Sequence, residues 1–125
     1  MADVLTDAGR AHIAGLVSNT VAAPANYFIA WGTGVGTAAV ADTTLFTEVD
    51  ARQTSTSTRV TTTVANDTAQ YFATLSAGSA RSITNAGVWT LVTGGAGTLV
   101  QKSDHATVPL VAGDSIAYTF KLKFA

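Results

Sequence analysis

The chain contains no cysteine, one methionine, two prolines and few charges. Without cysteine it is neither a disulfide scaffold nor a Cys-based metal site. Asp, Glu, Lys and Arg make up 12% of its 125 residues, about half the ~25% of an ordinary globular chain. The net charge of -1 gives no basic excess to attract phosphate backbones, so nucleic acid is not an expected partner. A hydrophobic content of 47% with so small a net charge excludes a disordered tail. No run reaches the ~18 apolar residues of a membrane span, so no membrane partner is expected either. The opening Met1-Ala2-Asp3-Val4-Leu5-Thr6-Asp7 is acidic and lacks the basic region and apolar core of a secretory signal. The expectation is a chain made in the cytoplasm that stays soluble or leaves without a cleaved signal, cell lysis being one such route.

What fills the place of charge is 21 Thr and 23 Ala. A small domain with this surface and a net charge near zero is poorly protected against association. Coverage by copies of itself or by a partner is therefore expected. The plainer alternative is that Thr is strand-compatible surface. The length suits one domain, residues 1–125, with no fixed-period repeat.

Residues 6–17 read as the one helix. Thr6 serves as its cap, Asp7 favours the positive end, and Leu5, Ile13 and Leu16 recur on one side. Ser18-Asn19 ends it, and residues 20–26 with Pro24 read as loop. Residues 27–31 form a short apolar strand stopped by Gly32-Thr33-Gly34-Val35-Gly36, and 42–46 read as one helical turn capped by Asp42. In 54–64, Val60, Thr62 and Val64 share a face, before a turn at Asn66-Asp67. Residues 69–77 place Tyr71, Ala73 and Leu75 on one face, and 83–92 is apolar on both faces around Val88, Trp89 and Leu91. The hairpin connection Thr93-Gly94-Gly95-Ala96-Gly97 leads into a return at 98–103. After the turn Ala112-Gly113-Asp114, the last strand alternates Ile116, Tyr118, Phe120, Leu122 and Phe124 inward with Ala117, Thr119, Lys121 and Lys123 outward. One helix followed by six or more strands predicts a mainly β fold. Its expected form is a β-sandwich, jelly-roll-like, or a barrel, over 27–125, with the N-terminal helix at its edge.

Four groups of residues invite a chemical reading. The glycine loop at 32–36 follows a strand, but a dinucleotide fingerprint needs its third Gly where Thr37 stands, and a long helix after it. A tight turn where backbones approach closely fits better. His12 and His105, with Glu48 the single Glu, make no convincing metal site. Ser103-Asp104-His105 has the residue types of a hydrolase triad. Consecutive residues of an extended chain alternate faces, so it reads as a polar loop. The acids are scattered singly, which gives no carboxylate pair for glycoside hydrolysis. Trp31, Trp89 and Tyr27 suggest a sugar platform, yet both tryptophans sit in apolar strands, where a core position is favoured. No catalytic, cofactor-binding or metal residue is assigned, and no enzyme activity or cofactor is expected.

Thr6-Asp7-Ala8-Gly9-Arg10-Ala11-His12-Ile13-Ala14 resembles the T-x-A-G-x-A-x-I-A opening of small structural domains of tailed phages. Among these is the N-terminal attachment domain of tail fibres. A G-x-G turn, Gly32-Thr33-Gly34, follows. Then comes T-x-L-x-x-E-V, here Thr43-Thr44-Leu45-Phe46-Thr47-Glu48-Val49, with Arg52 shortly after. Ile83-Thr84-Asn85-Ala86-Gly87-Val88-Trp89 resembles I-T-E-A-G-L-F, Gly97-Thr98-Leu99 a G-T-L strand, and the segment 113–124 a G-D-S-I-x-Y-T-F-K-L-x-F close. Asn85 replaces the usual Glu, so no salt bridge of that Glu carries over. The motifs are short and span most of the chain.

The resemblance implies a virion component without catalysis. A fibre would continue beyond Ala125 into a shaft, so the expected subtype is a capsid decoration, or cement, protein. Such proteins are small β domains that bind the major capsid protein lattice at the capsid surface, often as trimers. The alternatives are a small tail or baseplate adaptor and, more weakly, a carbohydrate-binding module.

Overall fold

The computed structural model describes residues 3–94 and 96–124. Met1 and Ala2 of the acidic opening, Gly95 of the hairpin connection and the chain end at Ala125 lie outside the described residues. In order, the elements are β1 (Asp3–Leu5), α1 (Asp7–Val17), β2 (Phe28–Gly32), β3 (Glu48–Thr54), β4 (Thr56–Val60), β5 (Thr68–Ser76), β6 (Arg81–Trp89), β7 (Leu99–Leu110) and β8 (Ser115–Lys123). The strands form a five-stranded sheet, β1-β7-β6-β2-β3, and a three-stranded sheet, β4-β5-β8. All pairings are antiparallel. The mainly β expectation holds in its sandwich form, and the two sheets do not close into a barrel.

The core lies between the sheets. Ile29, Trp31, Ile83, Val88 and Val100 of the larger sheet meet Tyr71, Ala73, Leu75 and Phe120 of the smaller one. The alternation in β5 holds as read, because one face packs and the other meets solvent. In β8, Phe120 is buried and Ile116, Tyr118 and Leu122 are half-buried. Phe124 departs from expectation. It lies beyond the end of the strand and is 57% exposed.

The larger sheet has a second covered face. Ala30, Leu45, Trp89 and Leu99 form a smaller core on its outer side, which is why β6 is apolar in both directions. Leu91 and Val92 fall outside β6 and are half exposed.

Thr6 caps α1 as expected. Its Oγ1 accepts from the Gly9 N–H at 2.9 Å, and it donates to the Leu99 carbonyl. Asn19, at φ 60°, ends the helix in the left-handed conformation. The buried helical positions are Gly9 and Gly15, while the Ile13–Leu16 stripe is only half-buried. A Cβ on Gly9 would be driven into the Val100 carbonyl, so α1 packs on β7 through its backbone.

Other expectations are corrected. Residues 42–46 form no helical turn; the Asp42 carboxylate instead accepts from the Ala39 N–H at 3.0 Å. β4 ends at Val60, so Thr62 and Val64 do not share its face. They wrap around Asp67, whose carboxylate accepts from the N–H groups of Thr62, Thr63 and Val64, each at 2.9 Å. The return strand runs to Leu110, well past Ser103. Its Pro109 sits where β1 no longer pairs with β7, a free side that tolerates the missing N–H. β1 and β3 were not expected as strands.

Candidate functional site

The densest polar chemistry lies on the outer face of the larger sheet, where the segment 33–47 is clasped down. Three side chains hold it beyond its glycine loop. Asn85 on β6 replaces a strand partner: its Nδ2 donates to the Phe46 carbonyl and its Oδ1 accepts from the Phe46 N–H, both at 3.0 Å. Asp104 on β7 accepts from the Ala38 N–H at 2.6 Å. Lys102, fully buried, donates to Asp42 at 2.9 Å and to the Thr44 carbonyl at 2.8 Å. Its Nζ also sits 3.3 Å from the Phe46 ring centroid. Carboxylate, carbonyl and ring face together replace the water that a buried ammonium loses. Desolvation pushes the Asp42 carboxyl up, but the Ala39 N–H and the bond and charge of Lys102 outweigh it and hold it below its ordinary value.

The glycine loop opens this segment. Any Cβ at Gly32 or Gly34 would strike Phe46 or Thr47 atoms, and Thr84 donates to the Gly32 and Gly34 carbonyls. The tight-turn reading describes it, with 33–47 as a cover and no helix behind it.

Arg52 closes the lower end. Nε and Nη2 donate to the two Glu48 oxygens at 2.8 and 3.0 Å. Nη1 donates to the carbonyls of Leu91 and Ala96. The guanidinium carbon lies 3.7 Å from the Trp89 ring centroid. Beside this pair opens a cleft of about 390 Å³ lined by Thr44, Leu45, Thr47, Glu48, Val49, Asp50, Trp89 and Gly94. Thr47 and Asp50 stand at φ 52° and 62°, the left-handed region.

Asp50 owes that conformation to an irregularity in β3. Between the pairs Ile29↔Gln53 and Trp31↔Val49, β3 advances four residues while β2 advances two. The bulge turns Asp50 away from Glu48 and Arg52. Its carboxylate takes the Trp31 Nε1–H at 3.0 Å and Arg81 at 3.1 Å. The Arg81 bond is the main cause that holds it below the ordinary carboxylate value. Both acids beside the cleft are therefore engaged by arginines.

The sequence candidates are dispersed. Trp31 and Trp89, at 0% and 2% exposure, present no platform to solvent, and Tyr27 is half-buried. Ser103, Asp104 and His105 lie in β7, correcting the loop reading. Asp104 serves the cover while His105 Nε2 is 2.8 Å from the Tyr118 hydroxyl, on the other face of the sheet. His105 Nδ1 faces the Ala106 carbonyl at 2.8 Å and so carries the proton, which makes Nε2 the acceptor in the neutral ring. His12 Nε2 meets the Tyr27 hydroxyl at 2.8 Å. Among the described residues no three of His, Asp and Glu gather as a metal-binding group, and no helix is long and apolar enough to cross a membrane.

Sequence reasoning missed the burial of Arg52 and Lys102 and the role of Asp50. Charge scarcity was the available signal, because three of fifteen charged residues fall within five positions of β3. The fold and site define a β-sandwich whose scarce charges fasten a long cover to one sheet. In comparison with known proteins, no family model, curated protein or solved structure matches the chain.

Proposed function

We propose that this chain is a non-enzymatic structural protein of a tailed-phage virion, a capsid decoration protein that binds the major capsid protein lattice at the capsid surface. The supporting observation is the contrast between the two outer faces of the sandwich. The larger sheet is covered by 33–47, whereas the smaller sheet is bare. Phe72, 44% exposed, stands on it between Thr56 and Thr119, which pair with it across β4 and β8 and are themselves exposed. A bare face of threonines around one aromatic ring, with Lys121 and Lys123 at one end of it, suits burial against another protein surface. The short motifs behind the resemblance also meet in space: Glu48 binds Arg52, Asn85 binds Phe46, and the Thr6–Gly9 cap seats α1 on β7.

The mechanism is mass action. A protein that binds the assembled shell and not its dissociated subunits stabilises the shell, and repeated weak contacts add up across the lattice. Quantitative mass spectrometry of purified virions, calibrated on the major capsid protein, tests this reading. Decoration predicts tens to hundreds of copies, whereas a tail adaptor follows a closed ring of about three to twelve. Particles lacking the chain should assemble but burst under milder heat or osmotic shock. Low copy number with unchanged head stability moves the chain to the tail, and absence from virions removes the reading.

A further inference from the structure

The cover over the larger sheet has an outer surface of its own. From 33 to 41 it carries no charge. Gly34 and Gly36 lie so close to Phe46 that a Cβ on either would be driven into it, and Val35 between them stands 93% exposed. Val40 is exposed as well, and of 35–41 only Ala38 is buried. This surface and the Phe72 face of the smaller sheet lie on opposite sides of the sandwich. The charges around them differ in sign. Among the described residues four cations have no ion pair. Arg59, Lys121 and Lys123 belong to the smaller sheet, and Arg10 to α1. The acids near that sheet are Asp67, bonded within its own loop, and Asp114, at the far end of β8 from the lysines. On the cover side stand Asp42, Asp104 and Asp7, whose N–H donates to the Val40 carbonyl. The cation bonded there, Lys102, is fully buried against Asp42.

We propose that copies of this chain associate head to tail, with the Phe72 face of one copy seated on the cover of the next. Two Phe72 faces brought together would set positive charge against positive, and two covers negative against negative. Only face on cover brings opposite signs together, and like-charge juxtaposition is what excludes the wrong pairing. The contact takes Phe72 and Val35 out of water at its centre and leaves the charges at its rim, the arrangement of a protein interface. Because the two surfaces lie on opposite sides of the sandwich, the contact is between unlike patches and repeats in one direction. It therefore builds an open series, in place of the trimer implied by the resemblance. The inference extends the docking face named above and does not rest on a virion destination. A copy held through that face by another protein still presents its cover.

Sedimentation velocity on the full chain, from low micromolar to millimolar, tests this together with two charge substitutions at exposed positions. The sedimentation coefficient should climb steadily with concentration. Val35→Lys sets a cation against the lysines of the next copy, and Phe72→Glu sets a carboxylate against the acids around its cover. Each should raise the dissociation constant about 10- to 100-fold. Thr119→Glu, at the exposed residue paired with Phe72, should act as Phe72→Glu does. An equimolar mixture of Val35→Lys and Phe72→Glu should associate again, because each variant supplies the face that the other lacks. That restoration distinguishes a contact between two different faces from a face paired with itself. A chain that stays monomeric throughout, a series that stops at a dimer or trimer, either variant associating as the parent does, or a mixture that stays monomeric overturns the proposal. Each result is read in solution and is independent of virion copy number, so this proposal and the decoration reading can fail separately.

Discussion

Arg52 holds Glu48 in a two-pronged ion pair while its guanidinium lies flat on Trp89. Both roles need a planar fork, and the remaining nitrogen also satisfies two loop carbonyls. Arg52→Lys should therefore behave as a disruptive change. Arg52→Ala or Glu48→Ala should each lower unfolding free energy by about 3–5 kcal/mol, the range for breaking a buried pair. Denaturant unfolding of both singles and the double variant measures this. Coupling near zero between the two residues would make the pair incidental.

Gly9 provides a test of sign. In an exposed helix interior, Gly→Ala stabilises by about 1 kcal/mol. In α1 the added methyl meets the Val100 carbonyl, which belongs to a strand paired on both sides there. Gly9→Ala should destabilise by about 1–3 kcal/mol, as overpacking does. A gain in thermal midpoint would show that α1 can lift from β7 at no penalty.

Part of this architecture is legible in the sequence. β5 and β8 show a clean period of two because one side packs and the other faces solvent. The Thr6 cap is local chemistry and reads directly. β3 was invisible because Glu48, Asp50 and Arg52 look like solvated surface, and because its bulge breaks the alternation that a sheet imposes. Lys102 reads as a surface charge by type. Its burial depends on Asp42 and Thr44, about sixty positions away in sequence and brought near only by the cover. Phe124 continued a real pattern one step past the end of its strand.

Acid should unfold the protein through its short-range carboxylate bonds. Asp42, Asp50 and Asp67 are all held below the ordinary carboxyl value of 3.8. For Asp50 the main cause is Arg81, and for Asp67 it is the Val64 N–H. A depressed folded-state value means the stabilisation is complete above the unfolded value and is lost as pH falls through the folded one. Asp3 works the other way, because burial raises its carboxyl. Stability should therefore fall below pH 3.8, and Asp42→Asn or Asp50→Asn should flatten that limb in unfolding curves taken at successive pH values. His12, lowered by burial from 6.5, adds a loss that begins as pH drops below that value. His12→Gln should remove the upper step alone.

The last strand should divide by face. Phe120 is buried against Tyr71 and Tyr118, so Phe120→Ala should cost about 3–5 kcal/mol. Lys121 and Lys123 point outward from the bare sheet and show no ion pair among the described residues. Lys121→Ala and Lys123→Ala should each change stability by less than about 0.5 kcal/mol, as surface substitutions do. Chemical unfolding at low protein concentration keeps association out of the comparison. Losses of equal size on the two faces would mean that β8 is covered on both sides even when dilute, and the bare outer face would have to be abandoned.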